Sequence, residues 1–556
     1  MGTRPLIIRH PMLARMVLGA VLMLAPRALM RAADAALAWD ANPETDHITG
    51  YFVYYGSASG IYDQKIDVGN QTTYTVAGLD AGIYFFAVTA YNASGLESGF
   101  SNEVFKVIPV QTFYYPHPSF SSSIDGIDNP VLTGVALTNP GGASAAVEVT
   151  AFDVNGNMVT SPGVTNPNWL TLPPGEQLTA IDLQQWFHSD PAADSIAYVK
   201  VDAATQVLGF FEIFNSTLTI LNGTEFAFPP SDSCLPTTTV FPAIQAGGTW
   251  LQLVNTDSAS AFALLQLLDT KGTQIGWALK TIAPQSSLVA DLPDLFPGAS
   301  FSGSEYIHMT APSVVLPYEF TRGPSNSLQV LRAQDAMDGS NVLYSPQYAV
   351  GGEWRTTLSV VNLDNIDGFV TFTLFPDGGG MPISQTLPAA AGGKIEITDQ
   401  SFFVASGSAP IQGFLAITSS GIHLAGNVIF GDSAEAAFAT NLPLVSRLYY
   451  GAFFGQLASD SAYYTGIAVV NPQDSPTSIQ IEIYKSDGSQ AAPPATIQIP
   501  ARQRNIGMLT DYFPDVGDLS SGYIQLTGSQ TFASFVLFGT RNLTVLSAVP
   551  GQEIIR

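Results

Sequence analysis

Aromatic side chains are the residues of this chain whose type and spacing best suit a binding function. Flat aromatic faces stack on sugar rings, and they also pack well against neighbouring domains. Both interpretations stay open here: packing between domains, and binding of a carbohydrate polymer. The candidates lie near the starts of repeated segments and are Trp250, Trp354, Tyr449, Tyr450, Tyr463 and Tyr464.

Carboxylates in repeated loops offer a second kind of chemistry, the ligation of calcium by oxygen atoms. They follow three of four repeated asparagines and are Asp257, Asp364, Asp367 and Asp474. The equivalent first loop, Asn139-Pro-Gly-Gly142, has no carboxylate, which weakens the calcium hypothesis. The alternative is structural, because an asparagine that ends a strand tolerates positive φ and bonds to nearby backbone.

Residues for catalysis are sparse. The six histidines are scattered, and neither a Gly-x-Ser-x-Gly elbow nor a Walker loop occurs. The repeat pattern predicts that Glu212 and Glu319 occupy matching strand positions in two copies, an arrangement that would suit a glycosidase, but the other copies have Val428 and Val536 there. Because separate domains would hold the two glutamates apart, we expect exposed strand residues. We predict a protein that is not an enzyme and has no cofactor, calcium excepted.

The repeat itself predicts the architecture. A strand ending in asparagine occurs at 133–139, 249–255, 356–362 and 465–471, so successive copies are 107 to 116 residues apart. A glycine turn follows each asparagine after 16 or 17 residues. Alternating strands and regularly spaced turns are typical of a two-sheet antiparallel sandwich. An Asp before a local Phe in each copy is expected to cap a short turn.

Each copy is long enough to enclose its own core, and the single cysteine, Cys234, excludes an intramolecular disulfide. Since the connectors are short and polar, we expect a semi-rigid string of separate domains. The predicted fold class is all-β, a fibronectin type III-like sandwich followed by four tandem antiparallel β-sandwich repeats. The predicted boundaries are 1–35 for a signal peptide, 36–107 for the first module, and 110–232, 237–335, 341–446 and 447–556 for the repeats.

The first module has its own sequence pattern. Trp39 follows Leu37 at the start, 50–56 reads as a strand, and Leu79, Gly82 and Tyr84 are spaced as in a tyrosine corner, where the phenol bonds to upstream backbone. In these residues the segment resembles a fibronectin type III domain. The resemblance implies a sandwich fold, and such modules serve as spacers, adhesion units and appendages of secreted hydrolases.

Composition limits the partners. The chain has 45 acidic and 20 basic residues and a formal net charge of −25, which repels nucleic acid and anionic lipid. We expect an extracellular protein or polysaccharide as partner, self-association, no nucleic acid, and no membrane insertion of the mature chain. The function predicted from this is a secreted or cell-surface scaffold or adhesion protein, with a carbohydrate-binding accessory protein as the alternative.

The first residues predict export. Arg4, Arg9 and Arg15 precede an apolar run at 16–25, and small residues follow. This order is typical of a secretory signal peptide, and the run is too short to span a bilayer. The triplet Ala33-Asp34-Ala35 fits a cleavage site, so we expect an extracellular or cell-surface protein cleaved near Ala35.

Overall fold

The computed structural model describes residues 33–554 except 121–126, 129–130, 188–194, 216–219, 227–236, 246, 313, 324–326, 337–338, 404–409 and 433–437. Residues 1–32 of the expected signal peptide, and Cys234, therefore lie outside the described residues. Almost every described element is a strand, and the strands pair antiparallel in stacked sheets. The predicted all-β sandwich fold class is confirmed. Within the described ranges, no helix is both long and apolar enough to cross a membrane.

The N-terminal module is a small two-sheet sandwich. One sheet pairs β1 with β4, and the other has the order β3-β2-β5-β6. Tyr84, the tyrosine of the expected corner, is partly buried against the core of this module. Its strands are β1 (Ala33–Ala38), β2 (Ile48–Gly56), β3 (Gln64–Gly69), β4 (Thr73–Leu79), β5 (Gly82–Asn92) and β6 (Val104–Ile108), with a 3-10 turn at Glu44–Asp46.

The first strand includes the expected cleavage triplet. Ala35 is buried in the module's core, and the carboxylate of Asp34 accepts a hydrogen bond from the Gly78 N–H. Cleavage after Ala35 would remove half of this strand.

Copies 1 and 2 of the repeat each form two facing sheets. Copy 1 consists of β7 (Gln111–Pro116), β8 (Leu132–Thr138), β9 (Ala145–Asp153), β10 (Asn168–Leu172), β11 (Gln177–Ala180), β12 (Ile196–Ala203), β13 (Leu208–Phe214) and β14 (Ile220–Phe226), with a 3-10 turn at Leu183–Phe187. Copy 2 consists of β15 (Thr238–Phe241), β16 (Thr249–Asn255), β17 (Ala261–Leu268), β18 (Gln274–Ile282), β19 (Ser287–Asp291), α1 (Leu292–Leu295), β20 (Tyr306–Thr310), β21 (Val315–Arg322), β22 (Leu328–Arg332) and β23 (Gln334–Asp335).

Copies 3 and 4 repeat the plan. Copy 3 consists of β24 (Val342–Val350), β25 (Trp354–Asn362), β26 (Gly368–Pro376), β27 (Ile383–Ala389), β28 (Lys394–Ile397), β29 (Ile411–Ser419), β30 (Leu424–Asp432) and β31 (Ala439–Pro443). Copy 4 consists of β32 (Tyr449–Phe454), β33 (Tyr463–Asn471), β34 (Thr477–Tyr484), β35 (Ala495–Ile499), β36 (Gln503–Met508), α2 (Leu509–Tyr512), β37 (Tyr523–Thr540), β38 (Leu546–Pro550) and β39 (Gln552–Glu553).

We call the sheet with the asparagine-ending strand the Asn sheet and its partner the hairpin sheet. The Asn sheets have the orders β11-β8-β13-β14, β19-β16-β21-β22 and β28-β25-β30-β31, and in copy 4 the second half of β37 joins β36, β33 and β38. The hairpin sheets have the orders β10-β9-β12-β7, β18-β17-β20-β15-β23, β24-β29-β26-β27 and β35-β34-β37-β32-β39.

Each copy has a short turn between its fifth and sixth strands or, in copy 3, at 399–403, as predicted from the Asp and Phe pairs. The carboxylates of Asp182, Asp291 and Asp399 each accept a backbone N–H at the start of the turn. Asp511 differs, since it lies inside the turn and accepts the N–H of Met508 at its start. The following phenylalanines are buried in the cores, at Phe187, Phe296, Phe403 and Phe513.

The copies close into a ring, so the expected string of separate domains is wrong. The last strands β14, β22, β31 and β38 lie each against the next, and β38 lies against β14 again. The outer face of each Asn sheet packs on the preceding copy. We call these contacts between neighbouring copies the joints, and apolar clusters run across them. Head-to-tail contacts that return to the first unit are the intramolecular counterpart of a cyclic oligomer.

The repeated glycine lies against the next copy at three of the four joints, whereas a Cβ added at Gly378 would meet nothing within 4 Å. A Cβ at Gly156 would lie 2.2 Å from the Pro284 carbonyl oxygen of the next copy, and one at Gly272 would lie 2.3 Å from that of Ala391. Both glycines also have positive φ. Glycine recurs at this register because the turn needs a positive φ there in every copy, and at three joints the close approach of the next copy's backbone excludes a side chain as well.

An aromatic residue completes the joint by reaching the same backbone of the next copy. Tyr198 donates its hydroxyl hydrogen to the Gln285 carbonyl at 2.7 Å, Tyr306 to Gly392 at 2.5 Å, and Tyr523 to Gly175 at 2.8 Å. The accepting residues share a positive φ of 52 to 74°, as does Arg502 at the fourth joint. There the aromatic position holds Phe414, which has no hydroxyl.

One further position, opposite the residue that precedes the repeated asparagine, contacts the preceding copy at three joints. Its side chain differs each time. Gln177 donates to the Gly455 carbonyl at 2.9 Å, and Lys394 donates to the Glu305 carbonyl at 3.1 Å. Arg504 forms two 2.7 Å bonds to the Asp377 carboxylate. The copies share their backbone contacts but not these side chains.

The N-terminal module is packed against copy 1. The rings of Phe85 and Phe105 lie 5.5 and 6.1 Å from the ring of Trp169 on β10. Lys106 forms a 2.7 Å ion pair with Glu148, which also accepts the Val107 N–H. The outer face of the copy 1 hairpin sheet is thus covered by the module.

Candidate functional site

The four repeated asparagines are structural in each copy. Asn255 donates its side-chain N–H groups to the carbonyls of Ala259, Ile282 and Ala283, and its oxygen accepts the Asp257 N–H. Asn139, Asn362 and Asn471 make equivalent bonds. All four are at most 1 % exposed, so each ties the end of its strand to two neighbouring segments. The expected bonds to nearby backbone are confirmed, but none of the four asparagines has a positive φ.

The carboxylates proposed for calcium point to protein partners. Asp257 accepts the Ser258 N–H, Asp367 accepts the Ala391 N–H, and Asp474 pairs with Arg502 at 2.6 Å. Asp364 accepts the His423 N–H at 2.7 Å and lies 3.1 Å from its imidazole. Among the described residues, no three His, Cys, Asp or Glu converge to hold a metal ion.

Replacing Asn255 with alanine is expected to lower the free energy of unfolding by about 3 kcal/mol, because buried carbonyls lose their donors. Urea denaturation followed by tryptophan fluorescence measures this. Adding calcium or a chelator is expected to leave the wild-type midpoint unchanged. A chelator that lowers the midpoint as much as the substitution does would instead favour the calcium hypothesis.

Clefts at the joints are the best candidates for binding. The size of the residue at one position on the outer face of the Asn sheet decides whether a cleft is filled. The strand register places Gly134, Trp250, Thr357 and Gly466 at this position in the four copies. Trp250 is 5 % exposed and packs against Phe120, so it fills the joint between copies 1 and 2. The smaller residues leave room at two other joints.

The cleft between copies 3 and 4 is mainly apolar. Its volume is ≈ 640 Å³, within the range of sites for small ligands. Trp354 and Tyr464 line it, and burial raises the pKa of the Tyr464 phenol. The other apolar residues that line the cleft are Ile506, Met508, Phe535, Leu537 and Leu543. Polar side chains in the lining include Gln347, Asp511 and Arg541. Two apolar rings beside a few polar groups suit a ligand with an apolar face and hydroxyl groups.

The cleft between copies 2 and 3 is polar by comparison. It has a volume of ≈ 740 Å³, and its lining includes Arg322, Arg355 and Glu396. Threonine, serine and asparagine side chains account for much of the rest, with Thr357 at the position that Trp250 fills elsewhere. Equivalent joints have therefore diverged in chemistry.

The six aromatic candidates have different fates. Trp250 is buried between copies, which confirms domain packing for it and removes it as a ligand site. Tyr449 is also buried, and its hydroxyl donates to the Ser534 carbonyl at 2.9 Å. Tyr463 stacks on Phe538 at 5.3 Å, and Tyr450 is 63 % exposed. Only Trp354 and Tyr464 of the six line the cleft described above.

Glu212 and Glu319 are buried, so the expectation of exposed strand residues is wrong. They are 4 % and 2 % exposed, and burial raises the pKa of each carboxyl to about 8. They are also not equivalent, because Glu212 pairs with Gly134 whereas Glu319 pairs with Leu251, one step along the sheet. The slip of one residue puts the two carboxyl groups on opposite faces of their sheets.

Sequence reasoning missed Met508 and Ile506 in the cleft. Both are 46 % exposed and alternate along β36. Apolar residues on the outer side of an edge strand are the signal that points to such a surface.

Comparison with known proteins leaves the family open. No protein-family model matches the chain. An α-amylase of Niallia circulans is 30 % identical over 153 residues, 27 % of this chain and 11 % of that protein. A Kelch domain-containing protein of Saccharolobus solfataricus is 38 % identical over 96 residues, 17 % of this chain and 12 % of that protein. The chain thus spans only about a tenth of either relative.

Solved structures give only distant likenesses. A Streptomyces avermitilis α-L-rhamnosidase complexed with L-rhamnose is 9 % identical, with 89 % of this chain and 54 % of that chain covered and a TM-score of 0.10. The full-length major pilin RrgB of Streptococcus pneumoniae is 10 % identical, with coverages of 72 % and 88 % and a TM-score of 0.11. A biofilm-associated protein BSP domain is 9 % identical, with coverages of 94 % and 98 % and a TM-score of 0.13. Scores this low do not indicate a shared fold.

Proposed function

We propose that the chain is a non-enzymatic scaffold or adhesion protein that acts outside the cell or at its surface. The observation that supports this most is the closed ring, in which each copy is held by both neighbours. Well-packed joints resist deformation, so the outer surfaces keep fixed distances and directions. Export is proposed from the Arg-rich, apolar start of the chain, and the net charge of −25 disfavours a nucleic-acid partner.

Fractionation of the source cells tests this proposal. The chain should be recovered from the medium or the surface fraction without its N-terminal residues up to about Ala35, and the purified protein should sediment with cell envelopes. Recovery of the uncleaved chain from the cytoplasm would contradict export. Turnover of a polysaccharide by the purified protein would contradict a non-enzymatic role.

Polysaccharide binding in the cleft between copies 3 and 4 is the second candidate function. It is favoured by Trp354 and Tyr464, which line one cleft although they lie far apart in sequence. The fibronectin type III resemblance of the first module is compatible with either candidate, since such modules occur in both settings.

The substitution Gly466→Trp is expected to weaken polysaccharide binding at least tenfold. The new indole should fill the cleft as Trp250 fills the equivalent joint. A Cβ at Gly466 has its nearest neighbour at 3.6 Å, so the backbone admits a side chain there. Retardation in gels that contain single polysaccharides measures the effect.

Two variants control this experiment. Gly466→Ala adds a single methyl group and should retain binding, and Tyr450→Ala removes an exposed ring away from the cleft lining and should also retain it. Equal retention of the Gly466→Trp and wild-type proteins by a polysaccharide would place that binding elsewhere.

A further inference from the structure

An apolar face lies exposed on the hairpin sheet of copy 2. Phe262, Trp277 and Leu279 are 55 %, 62 % and 57 % exposed, and Leu264 beside them is half-buried. These four side chains lie on one side of the adjacent strands β17 and β18, where Leu264 pairs with Leu279. We call them the copy 2 face.

The equivalent face of copy 1 is already an interface. There Glu148 pairs with Trp169, in the register of Leu264 and Leu279. The N-terminal module buries Glu148 and packs against one part of Trp169, which is still 39 % exposed. A single module in the chain covers only one such face. The copy 2 face therefore has the position of a docking surface, but no described part of this chain covers it.

The other two copies show what a solvated version of this face looks like. Copy 3 has Thr371 opposite Thr386, whose hydroxyl groups bond to each other, and copy 4 has Gln480 opposite Thr496. Strand β17 instead reads Ala-Phe-Ala-Leu-Leu-Gln-Leu-Leu, which is apolar on both sides. A strand that is apolar on both sides is typical of a sheet covered on both sides.

Charge and register point to the occupant. The chain carries a net charge of −25, so two copies repel each other over most of their surfaces. The copy 2 face has no carboxylate among its four side chains or at Gln266 and Thr281 between them. The N-terminal module of another chain suits this face less well. In copy 1, Lys106 of the module pairs with Glu148, but the equivalent residue of copy 2 is Leu264, which cannot form an ion pair.

We propose that the copy 2 face binds the same face of a second copy of this chain around a two-fold axis. Matching apolar surfaces are self-complementary in such an arrangement. Four large side chains bury on the order of 400 Å² per copy, which is small for a stable dimer. The association is therefore weak and reversible, in the micromolar range.

Sedimentation velocity of the full chain from about 1 to 100 µM tests this proposal. The wild-type protein should shift from monomer to dimer, and more so in 0.5 M than in 0.05 M NaCl, because salt screens the repulsion of two acidic chains. The double variant Trp277→Ser/Leu279→Ser should stay monomeric at all of these concentrations, with an unchanged circular dichroism spectrum and melting temperature.

Phe369→Ser is the matched control, since Phe369 is 58 % exposed at the equivalent of Phe262 in copy 3. It should dimerise like the wild type. A monomeric wild type at 100 µM overturns the proposal. Association that survives in the double variant, or that is lost in Phe369→Ser, overturns it too by placing the contact elsewhere.

Discussion

Replacing Glu319 with glutamine is expected to stabilise the protein by about 3 kcal/mol at pH 8 and to change little at pH 4.5. The Glu319 carboxyl lies inside copy 2 at 2 % exposure, and burial raises its pKa to about 8, against partial compensation by Thr321 and the charge of Lys394. Glutamine has a similar shape and carries no charge, so it avoids the cost of holding a proton that the unfolded chain releases.

The sign follows from proton uptake. The folded-state pKa is above the unfolded value of 4.5, so the folded chain binds more protons between those two values. The stability contributed by this group is fully present below pH 4.5 and is lost as the pH rises to about 8. Glu212 should add a second, similar loss, because burial raises its pKa to about 8 as well and one carboxyl oxygen has no hydrogen-bond partner among the described residues.

Urea denaturation at pH 5 and pH 8 measures the effect. The loss of unfolding free energy from pH 5 to pH 8 should be smaller than in the wild type by about 3 kcal/mol in Glu319→Gln, and by about as much in Glu212→Gln. The exposed Glu353→Gln is the control and should leave the difference as it is in the wild type. Equal pH dependence in all four proteins would mean that the two carboxyls are solvated in the folded state.

Replacing Trp250 with alanine is expected to lower the free energy of unfolding by about 3–5 kcal/mol, the usual cost of removing a buried large aromatic side chain. The indole is 5 % exposed and contacts the ring of Phe120 at 5.5 Å across the joint between copies 1 and 2. Removing the indole leaves a cavity between copies 1 and 2. This cavity can close only if the two copies move together, and the other joints of the four-copy ring oppose that movement.

Denaturation in guanidinium chloride, followed by circular dichroism, measures the loss. Trp277→Ala removes the same side chain from an exposed position and should change stability by no more than about 0.5 kcal/mol. A loss below about 1 kcal/mol in Trp250→Ala would mean that copies 1 and 2 separate in solution, as in a string of domains.

Local features of the fold were predictable because each copy carries the residues that form them. Alternating apolar residues predict the strands, and the side chain of Asn255 satisfies backbone groups within its own copy, so the same solution recurs four times. The capped turns follow for the same reason, with Asp291 bonded to the N–H three residues on.

The candidate cleft was half predictable. Trp354 and Tyr464 stand out by residue type, but nothing in their spacing shows that they line the same cleft. Trp250 looks alike in sequence and yet is buried. The difference depends on the facing residue of the preceding copy, Phe120 for Trp250, which no periodicity reveals.

Sequence patterns were enough to identify a series of β-sandwiches, the relation between four of them, and the asparagines and turns that hold each together. Three-dimensional packing was needed to show that the four close into a ring, that Glu212 and Glu319 are buried on opposite faces, and which joints stay open. The alternation of residues along a strand identifies only one buried face per sheet. The second face is buried against another copy, through side chains such as Gln177, Lys394 and Arg504 that differ at each joint and leave no repeated pattern to read.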